Sequence, residues 1–127
     1  MPFDLSEKSI LLADDSAIMR MFLVMNLRRI MRVNITEAVD GLQAMGKLTK
    51  GGFDLLLTDM NMPEMGGAEL IRFVRNGMKS DMPIVIITTK GESNDRDLGM
   101  KLGANAYLTK PVDLKQLVKT VLGYLGK

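Results

Sequence analysis

The chain has 127 residues, of which 46% are hydrophobic and 25% charged, and it contains neither cysteine nor histidine. This length fits one domain with a substantial apolar core, and the lack of cysteine excludes a disulfide framework or a thiolate zinc site. The net charge of +2 is too small to indicate a nucleic-acid-binding protein. Because the sequence shows no signal peptide and no apolar segment of membrane-spanning length, we expect a cytoplasmic protein without membrane insertion.

Short apolar runs alternate with helical patterns five times along the chain. This alternation is typical of βαβ units around a parallel sheet. The runs that begin at Ile10, Leu55 and Ile84 are apolar at consecutive positions, as expected for strands covered on both faces. Residues 35–38 alternate more and are expected nearer an edge of the sheet.

The helices have start signals of different strength. Ser16 opens the first helix, whose apolar side has Ile18, Met21, Phe22 and Met25. Asp40, with Gln43 three positions later, starts the second helix, and Gly77 ends the third. The fifth helix starts at Asp113, which with Gln116 could form a capping box. It has one continuous apolar stripe, made of Leu114, Leu117, Val118, Val121, Leu122 and Leu125.

The fourth predicted helix, residues 93–102, has the weakest signals. Its first half is polar, and Gly99 lies in its interior. A glycine inside a helix costs about 1 kcal/mol relative to alanine. We therefore expect this helix to be the most mobile one.

Chemically capable residues follow four of the predicted strands. These residues are Asp14 and Asp15 after the first strand, Asp59 after the third, Thr88 in the fourth and Lys110 in the fifth. Each one alone would most simply be a helix cap, a turn residue or a surface lysine. Because the carboxyl ends of parallel strands line one crevice, their joint occurrence instead indicates a shared site.

The three carboxylates of this site would repel one another. Two unit charges about 4 Å apart interact by about 4 kcal/mol at an effective dielectric constant near 20, so a cation is expected among them. Oxygen ligands with remaining waters are typical of Mg²⁺ rather than of a full Ca²⁺ cage. Such a site favours phosphoryl chemistry, with Asp59 as a nucleophile that forms an acyl phosphate. Lys110 and Thr88 would contact the phosphoryl oxygens.

Four segments around these residues resemble the receiver domain of two-component response regulators, and most closely the stand-alone CheY type. They are residues 12–16 (LADDS), 58–67 (TDMNMPEMGG), 87–89 (ITT) and 103–111 (GANAYLTKP). The resemblance implies one receiver domain over residues 1–127, with its core at about 8–126. It also implies a single doubly wound (βα)5 domain of the α/β class, with a flavodoxin-like five-stranded parallel sheet of order 2-1-3-4-5 and helices on both faces.

The resemblance also assigns roles within the metal and phosphate site. Asp59 matches the phosphoacceptor. Asp15 and Asp59 match direct Mg²⁺ ligands, Asp14 matches a ligand that acts through water, and Asn61 matches one that uses its backbone carbonyl. The position of Asn61 in this family also tunes the lifetime of the phosphoryl group.

Four further roles concern phosphoryl sensing and switching. Thr88 and Lys110 match the residues that sense the phosphoryl group. Tyr107 matches an aromatic switch residue that turns inward when the threonine moves. Lys90 occupies a second position that tunes the phosphoryl lifetime in this family.

The expected function is a signalling switch rather than a turnover enzyme. A histidine kinase or histidine phosphotransfer protein would supply the phosphoryl group. A monomeric receiver would then bind a downstream protein through the face of helix four, strand five and helix five, in chemotaxis or a related two-component pathway, without contacting nucleic acid.

Three alternatives remain open from the sequence. One is an intermediate in a multi-step phosphorelay. A second is a Mg²⁺-dependent phosphatase with an aspartyl-phosphate, although such enzymes usually place an aspartate where this chain has Asn61. The third is a flavodoxin-like cofactor binder, which the acidic pair of Asp14 and Asp15 disfavours.

Overall fold

The computed structural model describes residues 3–126, which form one five-stranded sheet with helices on both faces. All neighbouring strands are parallel, and the spatial order is β2-β1-β3-β4-β5. The strands are β1 Phe3–Ala13, β2 Met31–Ala38, β3 Leu55–Asp59, β4 Ile84–Thr89 and β5 Ala106–Lys110. The helices are α1 Ala17–Ile30, α2 Gly41–Thr49, α3 Gly67–Arg72, α4 Ser93–Leu102 and α5 Leu114–Leu125.

The predicted fold class and strand order are therefore confirmed, and residues 35–38 do lie in an edge strand. Strand β1 is longer than its apolar run suggests. It starts at Phe3 and pairs with β2, with a register shift between Leu5 and Ser9. Helix α3 continues through a π-helical turn, Phe73–Gly77, so Gly77 does end this helical segment. Among residues 3–126, no helix is long and apolar enough to span a membrane.

Consecutive strand residues face opposite layers of helices. Leu55 and Leu57 belong to one buried cluster, which packs against α1 and α5. Leu56 and Ile86 belong to a second cluster, which packs against the helices on the other face. This two-sided burial explains why the central strands are apolar at consecutive positions.

The sequence suggested that the side of α1 with Ile18, Met21 and Met25 packs against the core, and this prediction is wrong. Ile18 is 80% exposed and Met21 and Met25 also face outward, whereas the buried residues are Leu23, Val24 and Leu27. Apolar side chains occur around most of this helix, so their spacing alone does not identify the inner face.

Helix α4 has the predicted bounds, but Gly99 has a packing role that the sequence does not reveal. It is buried, and a Cβ atom at this position would lie 2.5 Å from Cδ1 of Ile86. The helix therefore approaches β4 more closely than an alanine would permit. The mobility expected for α4 stays a prediction.

Three helices are capped as their sequences suggest. Ser16, Asp40 and Asp113 each accept a hydrogen bond from a backbone N–H in the first turn of α1, α2 and α5. The stripe on α5 is buried at Leu117, Val121 and Leu125, although Leu114 is exposed. Asp113 accepts a hydrogen bond from the N–H of Lys115. Among the hydrogen bonds of residues 3–126, none joins the side chain of Gln116 to the N–H of Asp113, so the capping box is not complete.

Arg75 fastens the amino-terminal edge of the sheet. Its guanidinium donates to the carbonyls of Gly103, Ser80 and Met82 and to Oδ1 of Asn105, at 2.7 to 3.1 Å. These contacts use all five of its N–H donors. They join the end of α3 to the segments that precede β4 and β5.

Candidate phosphoacceptor and metal site

The carboxyl-terminal edge of the sheet brings the predicted acidic residues together. Asp14 follows β1 and Asp59 ends β3, and these two strands are direct neighbours. One carboxylate oxygen from each of Asp14, Asp15 and Asp59 lies within 4.8 Å of the others. Asp14 and Asp59 are buried, whereas Asp15 is exposed and borders solvent.

Lys110 reaches this cluster from β5. Its Nζ lies 3.1 Å from Oδ2 of Asp59 and 3.6 Å from Oδ2 of Asp14. Burial alone would lower the pKa of Lys110, but its hydrogen bond to Asp59 and the charges of Asp59 and Asp14 raise the pKa above its ordinary value. The ammonium is therefore held in its charged form between two carboxylates.

Asp14 has an incomplete set of partners. Its Oδ1 accepts a hydrogen bond from the N–H of Ser16 at 2.8 Å. Its Oδ2 is buried and accepts no hydrogen bond from any described residue. Burial raises the pKa of Asp14, the Ser16 hydrogen bond opposes that shift, and the nearby charge of Asp59 adds to it.

These observations fit a cation at the cluster. If all three carboxylates are ionised, Lys110 compensates one of three negative charges. A hard cation would compensate the others. It would also give Oδ2 of Asp14, which accepts no hydrogen bond from any described residue, a second positive neighbour besides the Lys110 ammonium at 3.6 Å, directly or through water. The oxygen-only donor set, without histidine or cysteine, excludes the usual ligands of structural zinc. Asp14, Asp15 and Asp59 could therefore hold a metal ion.

The loop after Asp59 is fixed by close backbone contacts. The N–H of Asn61 donates to Oδ1 of Asp59 at 3.3 Å, and the N–H of Gly67 donates to the carbonyl of Met60 at 3.0 Å. A Cβ atom on Gly67 would lie 2.5 Å from the carbonyl oxygen of Asp59, so only glycine fits there without a shift. This loop places Asn61 at the rim of the acidic cluster.

Thr88 lies beside the cluster, on the strand next to Asp59. It is buried, and it occupies β4 one position beyond Ile87, the residue paired with Asp59. Lys90 follows in the exposed turn after β4. Both residues line a groove of about 440 Å³ together with Thr89, Gly91, Glu92, Ser93, Arg96 and Thr109.

Tyr107 is separate from the carboxylates. It pairs with Ile86 near the start of β5, and it is 42% exposed. The guanidinium carbon of Arg96 lies 5.3 Å from the centre of its ring, within the range of a cation–π contact. The side chain of Tyr107 therefore lies on the outer surface of the protein, on the strand that connects α4 to α5.

Two acidic residues at the site were missed from the sequence. Glu92 and Asp95 accept hydrogen bonds from the side-chain amide of Asn61, at 3.0 and 2.7 Å. Asp95, through hydrogen bonding and charge, is the main reason that the pKa of Glu92 is raised. Their spacing at the start of predicted helix four was a weak signal, because acidic residues are common in a first helical turn.

Comparison with known proteins identifies the family. The model of the response regulator receiver domain family matches residues 10–122. This chain belongs to the response regulator receiver domains. Members of this family are signalling switches, so the family supports a non-enzymatic role.

Individual receivers are similar over nearly the whole chain. The Chemotaxis protein CheY homolog of Campylobacter jejuni is 40% identical over 119 residues, which cover 90% of this chain and 92% of that protein. The Sensor protein EvgS of Escherichia coli K12 is 41% identical over 125 residues, or 98% of this chain. This chain spans only 10% of the length of EvgS.

A solved complex provides a structural relative. It is the co-crystal structure of the Saccharomyces cerevisiae histidine phosphotransfer signaling protein Ypd1 and the receiver domain of its downstream response regulator Ssk1. The matched chain is 26% identical with a TM-score of 0.83, over 95% of this chain and 90% of that chain. The chain described here is thus a CheY-type receiver with homologues in chemotaxis and a structural relative solved with a phosphotransfer protein.

Proposed function

We propose that this receiver accepts a phosphoryl group on Asp59 in the presence of Mg²⁺ and then changes its affinity for a downstream protein. The observation that carries this proposal is the contact of Lys110 Nζ with Oδ2 of Asp59, beside the carboxylates of Asp14 and Asp15. A nucleophilic carboxylate, a fixed cation and a second cation site are the parts that phosphoryl transfer requires.

Asp59 acts as the nucleophile. Its carboxylate oxygen attacks phosphorus, the new P–O bond forms as the P–N bond to the donor histidine breaks, and the bonding electron pair leaves on the imidazole nitrogen. Lys110 neutralises one phosphoryl oxygen, and the hydroxyl of Thr88 donates a hydrogen bond to another. Asp14, Asp15, Asp59 and the backbone carbonyl of Asn61 would hold Mg²⁺, which would supply further charge neutralisation.

The proposed donor is a histidine kinase or a histidine phosphotransfer protein. The 127 residues contain no histidine, so they cannot supply the phosphohistidine themselves. Such a donor has to bring its imidazole close to Asp59. Helix α1 starts at this edge of the sheet, and the outward-facing Ile18 and Met21 lie in its first half. These exposed apolar side chains give a donor protein a contact surface next to the site.

The output uses Thr88 and Tyr107. Movement of Thr88 toward the phosphoryl group would leave space into which the ring of Tyr107 turns, away from its exposed position over β5. Exposed Met100 lies one helical turn after Arg96, the residue that contacts the ring of Tyr107, so Met100, Tyr107 and α5 would form the surface that a downstream protein binds. A chemotaxis target is supported by the Campylobacter relative.

The second candidate function is an intermediate in a multi-step phosphorelay. The EvgS match supports it, because a segment of that sensor protein is as similar to this chain as the CheY homologue is. An aspartyl-phosphate phosphatase is less well supported. The residue two positions after Asp59 is Asn61. Its side-chain amide donates hydrogen bonds to two carboxylates and is too weak an acid to protonate a leaving group.

The direct test is incubation of the purified chain with acetyl phosphate, with and without Mg²⁺. Intact-mass spectrometry should detect one added phosphoryl group, only with Mg²⁺, and alkali should remove it as expected for an acyl phosphate. A phosphoryl group that survives alkali, or labelling that is independent of divalent ions, would contradict the proposal. Transfer from a phosphorylated histidine kinase, compared with transfer from a phosphotransfer protein, would separate the two candidate pathways.

A further inference from the structure

Asn61 connects the phosphoacceptor to helix α4. Its backbone N–H donates to Oδ1 of Asp59, while its side-chain Nδ2 donates to Oε2 of Glu92 and Oδ2 of Asp95. A carboxylate only accepts hydrogen bonds, so the amide nitrogen, and not its oxygen, has to face both acidic groups. One residue is therefore bound to the site at its backbone and to α4 at its side chain.

The start of α4 lacks the side-chain cap that three other helices have. Helices α1, α2 and α5 are each capped by a side chain of their own N-cap residue. At α4, the N-cap residue Glu92 makes no side-chain capping bond. Its carboxylate and that of Asp95 instead converge on an amide from the loop after β3, which reduces the repulsion between these two like charges.

We infer that Glu92 and Asp95 are positioning residues for the metal site, because they hold the side chain of Asn61 and thereby fix the loop that carries its backbone carbonyl. The contact transmits occupation of the site to the first turn of α4. This inference rests on the proposed function, since it requires a cation at Asp14, Asp15 and Asp59.

Thermodynamic reciprocity gives the inference two readouts. If the contact of Asn61 with α4 strengthens Mg²⁺ binding, then Mg²⁺ binding strengthens that contact by the same factor. The first-turn amides of α4 should then exchange more slowly with Mg²⁺ present. The N–H groups of Asp95 and Arg96, which donate to the carbonyl of Glu92, are suitable reporters.

The test uses the variant Glu92→Ala/Asp95→Ala and calorimetric titration with MgCl₂ alone. A typical coupling between sites corresponds to about a five-fold or greater change in affinity, and we expect Mg²⁺ binding to weaken by at least about that factor. Hydrogen exchange should lose its Mg²⁺ dependence in the first turn of α4. Asp97→Ala is the matched control, because Asp97 lies on the same helix and pairs with Arg96 rather than with Asn61.

The loss of two negative charges could also weaken Mg²⁺ binding through long-range electrostatics. The variant Asn61→Leu separates this electrostatic effect from the loss of the hydrogen bonds to Asn61. In the Asn61→Leu background, adding Glu92→Ala/Asp95→Ala should change Mg²⁺ affinity by less than about two-fold, as for sites that no longer interact. A full effect in that background, or an unchanged affinity in the original one, would overturn the inference.

Different results would contradict the proposed function and the inference about Glu92 and Asp95. If the unaltered chain binds no Mg²⁺ and takes no phosphoryl group from acetyl phosphate, the proposed function itself is wrong. If it does both, and the Glu92→Ala/Asp95→Ala variant behaves like Asp97→Ala, only the inference is wrong.

Discussion

The interior of the sheet and its carboxyl-terminal edge follow different physical rules. In the interior, Leu55, Leu56 and Leu57 are fully buried and contact only two apolar clusters. At the edge, Asp59 ends β3 two residues after Leu57 and is buried beside Asp14, which follows the neighbouring strand β1. Burial in the interior therefore increases the free energy of unfolding, whereas the repulsion between the carboxylates at the edge decreases it.

This difference separates stability from function within one strand. Substitutions in the interior should change the free energy of unfolding and leave the chemistry intact. Substitutions at the edge should remove the chemistry at little or no cost in stability.

The largest effect is expected for Asp59→Asn. The amide is a poor nucleophile, so labelling by acetyl phosphate with Mg²⁺ should disappear, as measured by intact-mass spectrometry. Thermal unfolding in the absence of metal should show no loss of stability, because one of the crowded negative charges is gone. A variant labelled as fast as the unaltered chain would show that another residue is the phosphoacceptor.

The matching interior substitution is Leu57→Ala, two positions earlier on β3. Leu57 is fully buried, and removing most of such a side chain costs about 3 kcal/mol of unfolding free energy. Urea denaturation should detect this loss. Labelling of Asp59 at a temperature where the variant is folded should proceed at the rate of the unaltered chain, and a lost label there would break the proposed separation.

Gly99→Ala tests the packing of α4 on β4. Helix propensity alone predicts that alanine stabilises α4 by about 1 kcal/mol. Because the new Cβ would lie 2.5 Å from Cδ1 of Ile86, we expect instead a destabilisation of about 1 to 3 kcal/mol by overpacking.

Ile86→Val provides the control for this packing argument, since it deletes the Cδ1 methyl group. The double variant Gly99→Ala/Ile86→Val should be more stable than the sum of the two single changes predicts, as measured in a double-mutant cycle. Additive single effects would mean that the close approach of α4 to β4 is unimportant.

Asp14→Asn should stabilise the metal-free protein by about 1 kcal/mol, because it removes a buried charge with an unpartnered oxygen. The pKa of Asp14 is raised in the folded state, so folding favours its protonated form. The unaltered chain therefore loses stability as the pH rises through that raised pKa, and the variant does not. The difference in melting temperature should grow with pH between the ordinary pKa of an aspartate and the raised pKa of Asp14, and level off above it. A difference that is constant or shrinks within that range would contradict this assignment.

Lys90→Glu should have the smallest effect. Lys90 is exposed in the turn after β4 and lines the same groove as Thr88. If its ammonium attracts phosphoryl oxygens and obstructs the hydrolytic water, the glutamate variant should lose its phosphoryl group a few-fold faster at the same Mg²⁺ concentration. Unchanged decay would mean that Lys90 extends into solvent and that Asn61 is the residue to examine.

The alternation of apolar runs and helical patterns predicted the α/β class and the convergence of Asp14, Asp59 and Lys110, whereas the strand order came from the family resemblance. A run of apolar residues that ends in a polar one places that polar residue at the edge of a parallel sheet, whatever the loops do. The buried side of α1 could not be obtained in this way, since the helix has apolar residues on two sides. The contact of Asn61 with Glu92 and Asp95 also could not, because it depends on the path of two loops.

Arg75 has a consequence for how long the folded state persists. Its guanidinium donates to Gly103 and Asn105, which lie 28 and 30 positions away along the chain. These contacts can form only when the segment before β5 has packed against the helical segment that carries Arg75. Contacts that form after the transition state slow unfolding and leave the refolding rate nearly unchanged. We therefore expect Arg75 to set the lifetime of the folded receiver rather than the speed with which a newly made chain reaches it.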